Sequence, residues 1–475
     1  MTRESFEPPT EHKQHLSPWD GISIIVSIVV GTSIFKSTAL IFSNVSGPWT
    51  LLAAWVAGGV LSFIGALCYA ELATAYPFVG GDYAYLKRAF GGLVAFLFGW
   101  AQLAATLTGS IGTMAFAFAD YASAFLGDKA AIGTASIAAI AIGVLTLANI
   151  FGAHVGRTLQ NLLTVIKVVG LTAIVVLAFF ANREGPLLPT KPLDGAELEL
   201  STVISKFGLA MVFVLYTYGG WNDAAFVAAE VRDRERNIPR VLLGGTALIL
   251  LVYLMINLAY WWALGFDGAR SSWAPAAELA SRSLGDWGGR AISALVMISA
   301  LGAMNGLLVT GSRVYASMGN DHALFTFLKR WDPRLNTPVW SLLTSGIVAI
   351  AMSALVGTET GRTAVDGLLK TSRLSDEPLK WSYFGGGFGT LVAATAPVFW
   401  AFFLLTGLSL VVLRFRDPGI PRPFKVPLYP LTPLLFCATS GYMLYASVAY
   451  AEYLSLLGLL PVACGLPLYF IGRRR

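Results

Sequence analysis

Two hydrophobic segments of this chain are interrupted near their centres by glycine and small hydroxyl residues. Residues 21–42 contain Gly-Thr-Ser-Ile-Phe at 31–35, and residues 207–231 contain Tyr-Thr-Tyr-Gly-Gly-Trp-Asn at 216–222. Peptide groups in lipid have no water to satisfy them, so a broken helix at membrane depth has to line a cavity within protein. Two such breaks in corresponding halves of a chain indicate a binding site between them. The pattern predicts a carrier of a small zwitterion or cation.

The composition indicates a membrane protein. Of 475 residues, 56% are hydrophobic and 13% are charged, and the mean hydropathy is +0.66, whereas soluble domains have about 25% charged residues. A helix needs about 20 apolar residues to cross a bilayer. The sequence predicts twelve spans at residues 18–42, 48–76, 91–126, 132–151, 158–181, 203–231, 239–265, 288–318, 338–357, 388–413, 428–447 and 452–472.

The distribution of charge predicts how the chain is oriented. Residues 1–17 are polar and contain Glu4, Glu7 and Glu11, unlike the basic start of a cleaved signal peptide. With twelve spans and a cytoplasmic N-terminus, lysine and arginine residues in the inside segments clearly outnumber those outside. We therefore expect a multi-pass protein of the cell membrane with both termini in the cytoplasm. The basic pI reflects this topology and does not indicate nucleic-acid binding.

The sequence lacks the motifs of several other function classes. The cysteines Cys68, Cys437 and Cys464 all fall in predicted helices, so we expect packing residues and no disulfide. The sequence has no HExxH motif, no cysteine–histidine spacing for a metal and no phosphate-binding glycine loop with a lysine. We therefore expect no enzyme, no cofactor and no metal site.

The positions of the breaks predict two repeats. A broken helix opens a group of five spans in residues 18–181, and another opens five spans in residues 203–413. Because five is odd, the second group enters the membrane from the opposite side, which makes the repeats inverted. Residues 1–17 form a cytoplasmic tail and residues 428–472 hold the last two spans. The charged loop 358–387 is expected to be outside, hydrated and not a site.

Short motifs along the chain add to this pattern. They lie at residues 29–35, 69–72, 76–77, 80–85, 218–222, 230, 236–240, 311–313 and 422–427. Together they resemble the amino acid–polyamine–organocation superfamily, and more closely its L-type amino acid transporter branch. The resemblance implies an all-α membrane protein with twelve transmembrane helices. It also implies a five-plus-five inverted repeat, the leucine-transporter-like fold, with discontinuous helices 1 and 6.

The two breaks supply complementary groups for a zwitterion. Exposed N–H groups at the start of a half-helix favour a carboxylate, and unwound carbonyls at the second break would accept from an ammonium group. The resemblance implies that Tyr216 gates the site from outside. The family usually has glycine at the position where this chain has Ser33. Helix packing through small residues is the alternative at the first break, and a glycine kink with aromatic packing is the alternative at the second. The predicted substrate-binding residues are Gly31, Thr32, Ser33, Ile34, Tyr216, Thr217, Gly219 and Asn222.

Lys167 lies in the middle of the fifth predicted span. A lysine inside a membrane is costly and indicates a function by default. The resemblance implies that a lysine here takes the place of a sodium ion beside the first break. Lys167 is therefore the predicted ion-coupling residue, either as a fixed charge in exchange or as a proton-binding group in symport. Pairing with backbone carbonyls is the structural alternative.

Other polar residues in the spans allow two interpretations each. Glu71 either anchors the first cytoplasmic loop, which we favour, or takes part in transport. Asp223 either caps the second half-helix, which a carboxylate near an N-terminus favours, or selects a cation or relays protons. Gln102, Thr106 and Asn305 either border the site or bond neighbouring helices.

These observations predict sodium-independent secondary transport of L-amino acids by alternating access, through proton symport or exchange. A polyamine or organic cation carrier of the same fold, a non-transporting nutrient receptor and a channel are the alternatives. The expected partners are the amino acid, protons and the lipid bilayer. Some relatives bind a glycoprotein through a cysteine between spans three and four. Residues 126–132 have no cysteine, so no covalent glycoprotein partner is expected.

Overall fold

The computed structural model describes residues 14–126, 132–181, 186–190, 200–272, 274–374, 377–379, 381 and 386–472. Most of the predicted N-terminal tail and loop 126–132 lie outside these residues. The described regular structure is helical, apart from two isolated β-bridges. The α-helices are α1 Pro18–Val29, α2 Ser33–Ser43, α3 Pro48–Ala75, α4 Asp82–Phe90, α5 Gly92–Ala101, α6 Leu107–Leu126, α7 Thr134–Ile150, α8 Ala153–Phe180, α9 Leu200–Tyr218, α10 Arg234–Ser271, α11 Pro275–Leu284, α12 Asp286–Asp321, α13 Val339–Gly357, α14 Glu359–Thr371, α15 Gly387–Arg416, α16 Leu431–Ala451 and α17 Leu456–Gly472.

Nine helical stretches in the described part of the chain are long and apolar enough to cross a membrane. Two further apolar helices, α1 and α7, are shorter. The first predicted span is divided into α1 and α2, so neither half reaches full length. One of the nine stretches, Leu431–Gly472, contains both α16 and α17, although a short 3-10 turn at Glu452–Ser455 separates them. The structure is consistent with a multi-pass protein, and the count of twelve spans stays a prediction.

Local sequence signals explain where α1 begins. Ser17 and Asp20 form a capping box, in which the Ser17 backbone N–H donates to Asp20 Oδ2 at 2.8 Å and the Asp20 N–H donates to Ser17 Oγ at 3.2 Å. Pro18 occupies the first helical position, where its missing N–H has no cost. The chain before α1 is also fixed, because the Leu16 N–H donates to Glu230 O at 3.0 Å.

The third predicted span, residues 91–126, contains a π-helical turn. Helix α5 ends at Ala101, the π-helix covers Gln102–Thr106, and α6 continues from there. Single π turns inside α-helices are rare and often mark functional sites. This turn displaces the polar side chains of Gln102 and Thr106 relative to a regular helix.

Residues 358–387 are not a simple loop, which corrects the prediction. Thr358 caps helix α14 by accepting from the Gly361 N–H at 3.0 Å. On the buried side of α14, Leu369 packs with Leu379 and Leu454. Some of the charged residues that suggested a hydrated loop therefore lie on the outer face of α14. This helix is amphipathic, and its other face packs on the main bundle.

Ion pairs made by Arg88, Arg414 and Arg422 join the helix ends and loops on one side of the bundle. Arg414 Nε donates to Glu71 Oε1 at 2.8 Å, and Arg422 Nε lies 3.2 Å from the same oxygen. Arg88 donates to Asp417 at 2.7 Å, and this hydrogen bond lowers the pKa of the Asp417 carboxyl. Glu71 thus anchors the end of α15 and the segment between α15 and α16, through Arg414, Arg422 and the Val426 N–H, rather than the first loop as predicted.

Both helix breaks lie inside the bundle. Helix α1 packs against α8, α10 and α12, and the 3-10 helix Trp221–Glu230 packs against α1, α3, α10 and α12. The two interrupted segments therefore contact one another, and the same long helices surround both. This packing places the backbone of each break beside side chains of neighbouring helices.

Candidate functional site: a cavity between two broken helices

The first break is short and lies slightly earlier than expected. Residues 30–32 are not helical, and α2 begins at Ser33. The prediction placed the break at 31–35, but the backbone of Ile34 and Phe35 is already helical. The Phe35 N–H donates to Thr32 O at 3.1 Å, which starts the second half-helix.

The carbonyl groups at the end of α1 are occupied by side chains from other helices. Three buried donors, each from a different helix, contact three of these oxygens. The pairs are Lys167 Nζ with Ser27 O at 2.6 Å, the Tyr253 hydroxyl with Val29 O at 2.7 Å, and Ser299 Oγ with Val30 O at 2.9 Å. Because buried backbone acceptors need a partner, these side chains compensate for the interrupted helix.

Lys167 is fully buried on α8, and its ammonium group donates to Ser27 O at the first break. Helix α8 begins at Ala153, earlier than predicted, so Lys167 lies about 21 Å along the helix from its start. No carboxylate pairs with it among the described residues. The structure therefore places Lys167 beside the first break, and its role in ion coupling remains a prediction.

The second break is narrower than the sequence suggested. Helix α9 continues through Tyr218, the turn is formed by Gly219 and Gly220, and the chain continues as a 3-10 helix from Trp221. Gly220 has φ 107°, in the left-handed region that glycine adopts readily. A Cβ atom at Gly220 would lie 2.7 Å from Ile28 Cγ2, so glycine also permits the close approach of the two breaks.

Tyr253 of α10 connects the two breaks, a role that was not predicted from the sequence. Its hydroxyl lies 2.7 Å from Val29 O and 3.0 Å from Thr217 O, so the single proton is shared between two acceptors. The sequence shows only a tyrosine in the middle of an apolar run. This is weak evidence for a functional residue when the contacts of its hydroxyl are unknown. Ser299 was missed for the same reason.

A cavity lies between the breaks, and the empty space within it and at its open mouth is about 1020 Å³. Of the predicted substrate-binding residues, those lining the cavity are Ser33, Tyr216, Gly219 and Asn222. Those that do not line it are Gly31, Thr32, Ile34 and Thr217.

The residues outside the lining have other contacts. Thr32 Oγ1 lies 3.6 Å from the sulfur of Met114, which itself lines the cavity. The Thr217 side chain donates to Phe213 O at 2.8 Å, within its own helix. Thr32 therefore contacts the cavity lining through Met114, whereas the Thr217 side chain is bonded within α9.

The π turn brings polar side chains to the cavity. Gln102 and Thr106 both line it, and Thr106 Oγ1 donates to Gln102 Oε1 at 2.6 Å. Asn305 does not: its side chain bonds Asn149 and Gln160, each at 2.7 Å. Of the three polar residues left open by the sequence, two border the cavity and one links helices.

A second cavity adjoins the first. Tyr216, Ala396 and Trp400 line both spaces, so these residues form the wall between them. The phenol of Tyr216 interacts with the hydroxyl of Ser33, which links the end of α9 to the first break. This is the position that a gate requires, and the gating role itself stays a prediction.

The far end of the 3-10 helix is joined to two other parts of the chain. Arg313 Nε donates to Glu230 Oε1 at 2.9 Å, and both side chains are buried. The Arg232 N–H donates to Leu16 O at 2.9 Å, which pairs the start of the described chain with this segment. These contacts hold the 3-10 helix against α12 and against the residues that precede α1.

Asp223 also lines the cavity and is 5% exposed. It lies in the first turn of the 3-10 helix, as the capping interpretation requires, but no side chain caps that helix by a hydrogen bond. Its side-chain hydrogen-bond partner is Asn222. The carboxyl group of Asp223 therefore faces the cavity wall together with Asn222.

Comparison with known proteins finds relatives that align along most of the chain. The b(0,+)-type amino acid transporter 1 of Homo sapiens is 28% identical over 451 residues, which cover 94% of this chain and 85% of that protein. The Large neutral amino acids transporter small subunit 2 of Mus musculus is 27% identical over 469 residues, covering 97% and 81%. The Asc-type amino acid transporter 1 of Mus musculus is 27% identical over 465 residues, covering 97% and 81%.

The profile of one protein family covers nearly the whole chain. It is described as "Amino acid permease" and matches residues 16–470, which include both breaks and every residue that lines the cavity. The family and the relatives are transporters and not enzymes, as the sequence predicted. With its long apolar helices and its cavity between two broken segments, the chain belongs to the amino acid permease family of multi-pass membrane proteins.

Proposed function

We propose that this chain is a sodium-independent secondary transporter of L-amino acids that works by alternating access in the cell membrane. The observation that carries the proposal is the cavity between two broken helices, with the Lys167 ammonium group at the end of the first. Twelve spans in a five-plus-five inverted repeat, with both termini in the cytoplasm, are part of this proposal.

The substrate is proposed to lie between the breaks. Its carboxylate binds the N–H groups at the start of α2, near Thr32, Ser33 and Ile34, where the helix dipole favours an anion. Its ammonium group binds carbonyl oxygens of the second break. Gly219 lines the cavity, whereas Thr217 O is already in contact with Tyr253, so the Gly219 carbonyl is the better acceptor.

Lys167 supports the proposal that no sodium is needed. Its ammonium group supplies a positive charge to carbonyl oxygen at the first break, which is what a bound cation would do there. Lys167 either stays charged throughout, in exchange of one amino acid for another, or binds and releases a proton, in symport with that proton. Tyr216 is proposed to open and close the route between the two cavities.

The partners are proposed to be the substrate, the lipid bilayer and, in the symport mode, protons. One relative is named a small subunit, which describes that protein as part of an assembly. This chain has no cysteine in residues 126–132, so we propose that it has no covalently attached glycoprotein. Residues 127–131 of that loop lie outside the described part of the chain.

Counterflow in proteoliposomes tests the function. Vesicles are loaded with an unlabelled L-amino acid, and the uptake of radiolabelled L- and D-amino acids and of putrescine is measured. We expect saturable, L-selective uptake that internal substrate accelerates. Flux that does not saturate would instead indicate a channel, and binding without flux would indicate a receptor. Preference for putrescine would indicate a polyamine carrier.

A further inference from the structure

We propose that a groove at one end of the bundle, between the start of α1 and the first turns of α8, binds an anionic glycerophospholipid. Its basic residues are His15, Arg157 and Arg232, and its apolar residues are Leu162 and Val165. No residue of this groove lines the cavity between the breaks, so the groove is a separate site. The inference therefore goes beyond the proposed transport function.

The two arginine residues of the groove have no carboxylate partner. Arg232 is exposed, and its side chain forms no ion pair among the described residues. Arg157 is partly buried. Its Nη1 donates to His15 O at 3.3 Å and its Nη2 lies 3.1 Å from His154 Nδ1, and no carboxylate of the described structure lies within ion-pair distance of it. The protein therefore leaves both guanidinium groups able to bind an anion.

Other arginine residues of the bundle are paired. Arg313 Nε lies 2.9 Å from a Glu230 oxygen, and Arg88 Nε lies 2.7 Å from an Asp417 oxygen. A guanidinium group presents a planar set of donors that matches either a carboxylate or a phosphate. Because the protein supplies a carboxylate in those two cases and none to Arg157, a phosphate is the partner that suits Arg157.

Asp20 is the one carboxylate among the described residues of the groove, and its oxygens are already bonded. Oδ2 accepts from the Ser17 N–H at 2.8 Å and from the Ser17 hydroxyl at 2.7 Å, and Oδ1 accepts from Asn161 Nδ2 at 2.7 Å. Arg157 acts on Asp20 only through its charge, from beyond ion-pair distance. With two arginine residues and one carboxylate, the groove keeps a net positive charge.

Asn161 adds an acceptor that has no partner. Its Nδ2 donates to Asp20, while its Oδ1 is buried and has no hydrogen-bond partner among the described residues. A buried polar atom of this kind needs an explanation. A headgroup with a hydroxyl group beside its phosphate meets both needs, because the hydroxyl donates to Asn161 and the phosphate accepts from arginine. Phosphatidylglycerol has this chemistry, whereas the headgroup of phosphatidylcholine has no N–H or O–H donor.

The groove continues into an exposed apolar strip on α8. Leu162 is 55% exposed, Val165 is 46% exposed and Val169 is 63% exposed. Residues three and four positions apart lie on one face of a helix, so these side chains form a strip about 10 Å long that leads away from the arginine residues. An acyl chain can pack on this strip while its headgroup stays in the groove.

The depth of the groove matches the boundary between headgroups and hydrocarbon. Arg157 precedes Lys167 by ten residues, or about 15 Å along α8. The hydrocarbon core is about 30 Å thick, so its edge lies about 15 Å from the midplane. With the first break at the midplane, as the proposed function requires, Arg157 lies at that edge. Trp19, in the first turn of α1, is 51% exposed, and tryptophan is enriched at this boundary.

A headgroup in the groove would connect separate parts of the chain. Arg157 belongs to α8, and the backbone N–H of Arg232 donates to Leu16 O at 2.9 Å just before α1. A phosphate held by both arginine residues bridges α8 to this contact. Because a ligand that binds only the folded state stabilises it, the bound lipid should raise the melting temperature.

The test is a thermal titration of the full-length protein in detergent. The melting temperature is recorded as phosphatidylglycerol or phosphatidylcholine with the same acyl chains is added. We expect phosphatidylglycerol to reach half of its maximal shift at a concentration at least about fivefold lower, because one basic residue near an anionic lipid contributes about this factor. For the same reason, Arg232→Gln should raise that concentration about fivefold. The matched control is Arg330→Gln, an exposed position outside the groove, which should titrate like the wild type.

Two further arms distinguish a lipid from a soluble phosphate compound. Glycerol 3-phosphate has a phosphate and hydroxyl groups without acyl chains, and it should produce no shift at concentrations at which phosphatidylglycerol saturates. Val165→Ser should weaken the response to phosphatidylglycerol, because the acyl chain loses an apolar contact. If glycerol 3-phosphate stabilises the wild type and Val165→Ser as strongly as phosphatidylglycerol does, the ligand is a soluble phosphate compound and the lipid assignment is wrong.

Two other outcomes would overturn the inference. One is an equal response of the wild type to phosphatidylglycerol and phosphatidylcholine. The other is a wild-type response in both Arg232→Gln and Arg157→Gln. Arg232 is exposed, so its variant is expected to fold even where Arg157→Gln does not. None of these measurements uses transport, so their failure is distinguishable from failure of the counterflow test of the proposed function.

Discussion

The two helix breaks differ in whether their polar groups have hydrogen-bond partners within the protein. At the first break, side chains of Lys167, Tyr253 and Ser299 occupy the carbonyl oxygens that the interruption releases. At the second, a glycine turn redirects the chain, and the Asn222 side-chain oxygen that follows has no partner in the described structure. The first break is thus completed by protein, and the second keeps polar groups available to the cavity.

This difference suggests a division of roles. A segment whose acceptors are already bonded keeps its shape whether or not a ligand is present. A segment with unsatisfied acceptors gains more from a ligand, because each new hydrogen bond replaces a missing one. We therefore expect the first break to fix the position of the substrate and the second to discriminate between substrates.

Replacing Lys167 with methionine is expected to have the largest effect. The variant leaves Ser27 O without its charged donor, and hydrogen bonds to charged groups contribute about 1.5–3 kcal/mol. Initial uptake in proteoliposomes with equal protein content should fall at least tenfold. Lys370→Met, at an exposed position in the last turn of α14, is the control and should transport normally. Normal uptake by Lys167→Met would show that the first break does not depend on this donor.

Gly220→Ala tests the turn at the second break. Alanine at φ 107° is strained by about 1–3 kcal/mol, and its Cβ would collide with Ile28. We expect uptake to fall about tenfold and the melting temperature to drop. Gly244→Ala, on α10 with open space around the added methyl group, should stay close to wild type. Equal behaviour of the two variants would contradict the close approach of the breaks.

Tyr253→Phe removes the hydroxyl that links the breaks. The loss of one buried hydrogen bond costs about 1 kcal/mol, so we expect roughly a fivefold decrease in uptake or an equivalent loss of stability. Tyr260 lies two turns further along α10, and its hydroxyl has no partner among the described residues. Tyr260→Phe should therefore leave both uptake and melting temperature unchanged, and a similar loss in both variants would count against the link.

Replacing sodium with choline should have no effect on uptake. The Lys167 ammonium group donates to Ser27 O at the first break, and in the proposed function its charge takes the place of a sodium ion there. The measurement is initial uptake of the labelled L-amino acid in sodium and in choline medium at the same ionic strength. Uptake that stops in choline would refute sodium independence and would indicate a metal cation at one of the breaks.

The sequence predicted the existence of both breaks but not their limits. Glycine at 219 and 220 placed the second break correctly, while Tyr216 and Tyr218 remained helical because α9 packs against α3 and α2. The first break was shifted because helical hydrogen bonding starts as early as Ser33. Local composition indicates where a helix is weak, and the packing around it decides which peptide bonds leave the helix.

The candidate site was predictable only in part. Lys167 and Asp223 stood out because charged residues in apolar segments are costly. Tyr253 and Ser299 did not, because hydroxyl groups are common in membrane helices. Their importance depends on contacts across more than two hundred positions, such as Ser299 with Val30.

The sequence alone determined that this is an all-helical membrane protein with two interrupted helices and a buried lysine, because hydrophobic length, glycine position and charge are properties of short segments. Only the tertiary structure decided which carbonyl groups are occupied and which of the predicted residues face the cavity. Those features depend on the distances between helices that are far apart along the chain, and no local pattern contains that information.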